Sequence, residues 1–139
     1  MSLPKKYQNI KRELKVKKSL AGLGLFTKSP IEKGGFVIEY VGPILNEKES
    51  NEKGGKYLFE TSANRFIEGS ARTNTARYIN HSCRPNCEID VRRGRVLVFA
   101  KRNIKADEEL GYDYEKEYFD EYIKPYGCKC EKCMEERDK

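Results

Sequence analysis

The sequence predicts a mostly β fold, from three observations. Short strand-like runs recur along the chain, each is bounded by Gly, Pro or Asn, and long helical periodicity is scarce. Residues 12–17 (RELKVK) form the first candidate strand and 35–41 (GFVIEYV) the second. The polar stretch 46–55 (NEKESNEKGG) reads as a loop or one helical turn, and residues 56–60 (KYLFE) and 65–68 (RFIE) as two further strands. Residues 88–92 (EIDVR) and 95–101 (RVLVFAK) make a pair, with Arg93-Gly94 as the turn between them. Helices are expected only over 73–79 (TNTARYI) and 114–123 (YEKEYFDEYI), the second stopping before Pro125. There is no internal repeat.

A chain of 139 residues without a Ser/Gly-rich or low-complexity break reads as one domain. Apolar residues make up 37% of it and charged residues 36%, so the core is modest and a structural metal would help to hold it. The net charge of +6 is local: residues 1–18 carry seven lysines and arginines against Glu13 alone, and the remainder balances. This reads as a solvated basic arm, with contact to nucleic acid or an acidic partner as the alternative. No apolar run approaches the ~20 residues of a membrane helix, and the N-terminus lacks the apolar stretch of a signal peptide. The expected location is therefore inside the cell.

Cys128, Cys130 and Cys133 form C-x-C-x-x-C, three thiols close enough to face one ion, and in a reducing compartment this favours metal over disulfides. Tetrahedral zinc needs a fourth ligand, for which spacing leaves Cys83, Cys87 and His81 open. Four thiolates would make a closed, structural site.

Four segments in order, SLAGLGLF (19–26), EYVGPIL (39–45), ARYINHSCRPNC (76–87) and EELGYDY (108–114), resemble the SET family of protein-lysine methyltransferases, and GCKCEKC (127–133) is similar to its zinc-binding post-SET tail. The resemblance implies a fold of several small curved sheets with short helices and a knot-like C-terminal threading. It divides the chain into a basic arm at 1–13, the SET domain at 14–118 and the tail at 119–139. It implies transfer of a methyl group from S-adenosylmethionine to a lysine of a protein substrate, such as a histone or another basic protein. Ala21, Gly22, Leu23, Gly24, Tyr57, Arg77, Tyr78, Asn80 and His81 would hold the cofactor. Zinc would sit on Cys83, Cys128, Cys130 and Cys133, docking the tail so that it forms one wall of a pocket. The catalytic tyrosines would be Tyr40 and Tyr114, with Tyr112 limiting the product to mono- or dimethyl-lysine.

These residue types suit the chemistry. An in-line displacement needs donor and acceptor aligned at opposite ends of a narrow, dry channel. Desolvation lowers the amine's pKa, so tyrosine hydroxyls that orient its lone pair suffice without a dedicated base. His81, the single histidine, lies too close in sequence to Ser82 and Cys83 for a spatially assembled hydrolase triad, and fits a cofactor-packing role. The tail departs from many post-SET tails, which have four residues between the second and third cysteines where this chain has Glu131 and Lys132. No cysteine-rich segment precedes residue 19, and the insertion between residues 46 and 66 is short. Two other functions compete: a binding module without turnover, and a small zinc protein that grips nucleic acid through residues 1–18.

Overall fold

The computed structural model describes residues 7, 10, 12–20, 22–114 and 133. Ten short strands build four small sheets, and most side chains of the core belong to one cluster beneath them. β1 (Leu14–Ser19) and β2 (Gly22–Thr27) form an antiparallel hairpin paired from Leu14↔Thr27 to Ser19↔Gly22. β2 was not among the candidate strands, since its two glycines obscure it. Its backbone nevertheless completes the ladder, and a left-handed Gly22, φ 96°, opens the strand after the turn.

The central sheet has the order β3-β9-β8, with β3 at Phe36–Tyr40, β8 at Cys87–Arg92 and β9 at Arg95–Ala100. Its hairpin turns on Arg93 and Gly94, φ 52° and 77°, as a two-residue turn with both centres left-handed. β9 is buried on both faces, which explains its unbroken apolar run. Val96, Val98 and Ala100 join the main core, while Leu97 and Phe99 join Phe36 in a smaller cluster on the other face. Tyr7 and Ile10, from the expected basic arm, pack on that cluster; the Tyr7 ring stacks on Phe36 at 4.8 Å and its hydroxyl accepts from Arg92 at 3.0 Å.

The third sheet has the order β4-β6-β5, from Ile44–Leu45, Arg65–Glu68 and Leu58–Ser62. Helix α1 (Glu47–Lys53) occupies the stretch expected as a loop or one helical turn, and Asn46 and Glu49 start it with a reciprocal capping box, at 2.8 and 3.0 Å. The helix expected over 73–79 is a single 3-10 turn, Thr75–Tyr78. β7 (Asn80–His81) and β10 (Gly111–Tyr112) make the fourth sheet, a parallel pair. The helix expected over 114–123 and the C-terminal threading fall beyond Tyr114, outside the described residues, as do Ala21, Cys128 and Cys130. Among the described residues no helix is long and apolar enough to cross a membrane.

Candidate active site

The two-residue parallel pair β7–β10 brings together segments thirty residues apart, with Asn80 beside Gly111 and His81 beside Tyr112. Asn86 locks the pair: its Oδ1 accepts from Gly111 N–H at 2.9 Å and its Nδ2 donates to the Glu109 carbonyl at 2.9 Å. This partition separates two clefts. Ile79, Tyr112 and Tyr114 face one; Asn80, His81 and Gly111 face the other.

The first cleft, about 370 Å³, gathers Tyr40, Tyr57, Arg77, Ile79, Tyr112 and Tyr114. Tyr40 is buried at the end of β3 and its hydroxyl donates to the Tyr57 carbonyl at 2.8 Å. Tyr114 donates its hydroxyl proton to the Ile79 carbonyl, and its ring lies 4.7 Å from that of Tyr112. Each of the two phenols thus spends its donor on a main-chain carbonyl, which fixes its hydroxyl oxygen at the wall of the cleft. The Arg77 guanidinium lies over Tyr57 at 4.5 Å and over Tyr78 at 5.1 Å, and its buried Nε has no hydrogen-bond partner among the described residues. An orphaned buried donor of this kind is costly unless a ligand satisfies it.

The second cleft, about 550 Å³, is polar, with Ser19, Asn80, His81, Arg84 and Glu109 in its walls. Asn80 Nδ2 donates to the Leu23 carbonyl at 2.9 Å, to Glu109 Oε2 at 3.0 Å and to Ser19 Oγ at 3.3 Å. Its Oδ1 has no partner among the described residues, so it remains an acceptor. A Cβ on Gly24 would overlap the Glu109 carboxylate, so a larger residue there would push that side chain away from its place beside the hairpin. Leu20 and Leu23 stand exposed at the hairpin's end, at 58% and 53%.

The residues expected to hold the cofactor therefore divide between the clefts. Asn80 and His81 line the polar cleft, and Gly22, Leu23 and Gly24 reach it through the Leu23 carbonyl; Tyr57 and Arg77 line the tyrosine cleft. Tyr78 lines neither and packs on the core beneath Arg77. Glu109 and Ser19 were not singled out from the sequence. The signals available were the place of Glu109 in EELGYDY and that of Ser19 at the head of SLAGLGLF.

His81 sits at the seam. The Tyr114 backbone N–H donates to its Nδ1 at 3.0 Å, and its Nε2 is 3.2 Å from the Cys83 sulfur. Burial pushes its pKa down, against the opposing pull of Asp113. An imidazole that accepts at Nδ1 carries its proton at Nε2, pointed at a sulfur that this hydrogen bond would favour as thiolate.

The Cys83 and Cys133 sulfurs are 3.7 Å apart. That is far from a disulfide bond of ~2.05 Å, whereas two thiolates each ~2.3 Å from a tetrahedral zinc stand ~3.8 Å apart. Cys87 is different: it is buried in the core and desolvation pushes its thiol up to about 12, which disfavours the thiolate a metal needs. Among the described residues no group of three or more metal-ligating side chains assembles; Cys128 and Cys130 lie outside them.

The sequence pattern of the family described as "SET domain" matches residues 22–115. The chain is 35% identical over 91% of its length to the histone-lysine N-methyltransferase trr of Drosophila melanogaster, covering 6% of that protein. It is 34% identical over 81% of its length to the histone-lysine N-methyltransferase set1 of Dictyostelium discoideum, covering 8% of it. With the human histone-lysine N-methyltransferase 2D it shares 33% identity over 80% of its length and 2% of the relative's. The chain thus spans only a small part of these relatives.

Proposed function

This chain belongs to the SET domain family, and from that premise we propose that it is a protein-lysine N-methyltransferase taking its methyl group from S-adenosylmethionine. The observation that carries the reading is the tyrosine cleft, in which Tyr40 and Tyr114 anchor their hydroxyls on main-chain carbonyls and stand with Tyr57 and Tyr112 around one cavity. The relatives' names support a histone as the class of protein substrate.

When bound, S-adenosylmethionine supplies an electrophilic methyl group on a positively charged sulfur. This chain's residues fit it from both sides of the partition: in the polar cleft Asn80 Oδ1 would accept from an ammonium group, and from the tyrosine cleft the Arg77 guanidinium would offer a donor to an anionic group. A lysine amine entering the tyrosine cleft exchanges water for ring faces, and that desolvation lowers its pKa so that it arrives uncharged. Tyr40 and Tyr114 then accept its N–H groups and aim its lone pair at the partition formed by β7 and β10. Tyr112, ring to ring with Tyr114, narrows the space beside the amine, which favours mono- or dimethylation.

Zinc belongs to the same proposal, held by Cys83, Cys128, Cys130 and Cys133; the 3.7 Å sulfur spacing supports it. The tail cysteines would tie residues 119–139 to β7, where Cys83 follows directly. The basic arm contributes at most a weak contact to nucleic acid beside the substrate, and the enzyme acts inside the cell.

Two measurements test this reading. Protein incubated with methyl-labelled S-adenosylmethionine and core histones should place label on lysine, seen by mass spectrometry; no label on any lysine, with cofactor bound, would favour a binding module instead. Cys130→Ser should lower zinc content and cofactor affinity together, and retention of both would remove the tail from the site.

A further inference from the structure

Asn74 is 1% exposed and sits at the N-cap of the 3-10 turn that leads to Arg77, yet its side chain makes no capping bond. Asparagine at such a position ordinarily accepts from a backbone N–H of the turn it begins. Here both ends of the amide are used elsewhere. Oδ1 accepts from Val41 N–H at 3.0 Å, one residue beyond Tyr40, and Nδ2 donates to the Gly69 carbonyl at 3.0 Å.

Gly69 is the floor beneath the Tyr40 ring. A methyl group added there would overlap Tyr40 at Cζ, Cε1 and the hydroxyl. The Gly69 N–H also donates to the Tyr57 carbonyl at 2.9 Å, the same oxygen that accepts the Tyr40 hydroxyl at 2.8 Å. Four hydrogen bonds link five residues, Val41 to Asn74, Asn74 to Gly69, Gly69 to Tyr57, and Tyr57 to Tyr40, and the peptide bond from Tyr40 to Val41 closes the ring. One buried amide therefore sets both the strand end that carries Tyr40 and the surface on which its ring rests.

We propose that Asn74 and Gly69 are positioning residues that hold the Tyr40 hydroxyl at its working place, Asn74 by diverting its amide from the cap and Gly69 by leaving room for the ring. The inference rests on the methyltransferase reading for its kinetic consequence, though not for its geometric one. A displacement of a reacting group by ~1 Å costs on the order of 10²-fold in rate. Asn74→Ala and Gly69→Ala should each lower kcat by about that factor while KM for S-adenosylmethionine stays put, because the polar cleft is untouched.

The test joins kinetics to a readout that needs no turnover. Tyrosine is labelled with 13C at Cζ and the Tyr40 resonance is assigned by its loss in Tyr40→Phe. Both variants should shift that resonance. Ile104→Val, a core trim away from Tyr40, supplies a control for stability alone: it should lower the melting temperature while leaving kcat and the Tyr40 signal as in the wild type. An unmoved Tyr40 signal in folded Asn74→Ala and Gly69→Ala, or a kcat loss in Ile104→Val matching theirs at equal melting temperature, would overturn the proposal. If Asn74→Ala does not fold, Gly69→Ala and Asn74→Asp, which keeps the acceptor for Val41 but loses the donor to Gly69, carry the same test. A wild type without methyl transfer would sink the enzyme reading, and the Tyr40 resonance would still decide the positioning claim.

Discussion

The two clefts are comparable in size and built from opposite materials. One is walled by aromatic rings, with the hydroxyl protons of Tyr40 and Tyr114 committed to main-chain carbonyls; the other is walled by Arg84 and by Asn80, Ser19 and Glu109, with Asn80 donating to the latter two and to a hairpin carbonyl. They share the β7–β10 partition, and along it neighbouring residues are dealt to opposite sides: Ile79 and Asn80, then Gly111 and Tyr112. The difference teaches a division of labour. Rings exclude water and lower the charge of what enters, whereas amides and carboxylates recognise a charged ligand that stays solvated until it is seated.

The comparison breaks most visibly at Tyr114. Tyr114→Phe removes the hydroxyl that binds the Ile79 carbonyl while the ring stays packed, so methyl transfer should fall by about 10²-fold or more. Cofactor affinity, measured by calorimetry, should remain that of the wild type. Equal loss of both would mean that the two clefts are one functional unit. A smaller effect is expected from the other side: Asn80→Ala should weaken S-adenosylmethionine binding about tenfold, the equivalent of one hydrogen bond to a charged group, without moving the tyrosine resonances.

The smallest effect concerns the ionic wall of the polar cleft. Arg102 donates to Glu108 at 2.8 Å and, with the backbone N–H of Lys105, holds its carboxyl below the ordinary value of 4.5. A carboxyl lowered in the folded state stabilises the protein above its ordinary pKa, and that contribution fades as the pH falls through the lowered one. Melting temperature followed from pH 7 to acid should therefore drop less steeply in Glu108→Gln. The change is slight because Arg102 is about half exposed, at 51%. An identical acid limb would separate Glu108 from the stability of that wall.

The hairpin at Arg93-Gly94 and the strand at 65–68 were readable because both rest on local signals, a turn dipeptide and a short apolar run. β2 was not, since a ladder to β1 overrides the loop-like look of Gly22-Leu23-Gly24. Helix α1 was foreseen only as a loop or one helical turn, although the sign of a longer helix was present in Asn46 and Glu49, the two ends of a capping box. The motif residues of the site could be named from their order alone, but their division between two clefts could not, because it depends on a parallel pairing of residues 80–81 with 111–112. Asn74 was invisible for a related reason. At a helix start it reads as a cap, and only the fold reveals that its amide serves Val41 and Gly69. The meeting of Cys83 with Cys133 likewise spans 50 residues of chain, beyond what spacing can choose.

The β7–β10 pair also has a kinetic meaning. Hairpins such as β8–β9 close over two residues and form in microseconds, whereas a two-residue parallel pairing must first close a loop of some thirty residues and gains few bonds for doing so. The β7–β10 pair should therefore form later and open more readily than the β8–β9 hairpin, so deuterium should reach the amides of Ser82 and Gly111 before those of β9. A ligand gripping both sides of that seam would slow this exchange, making occupancy readable without following any reaction.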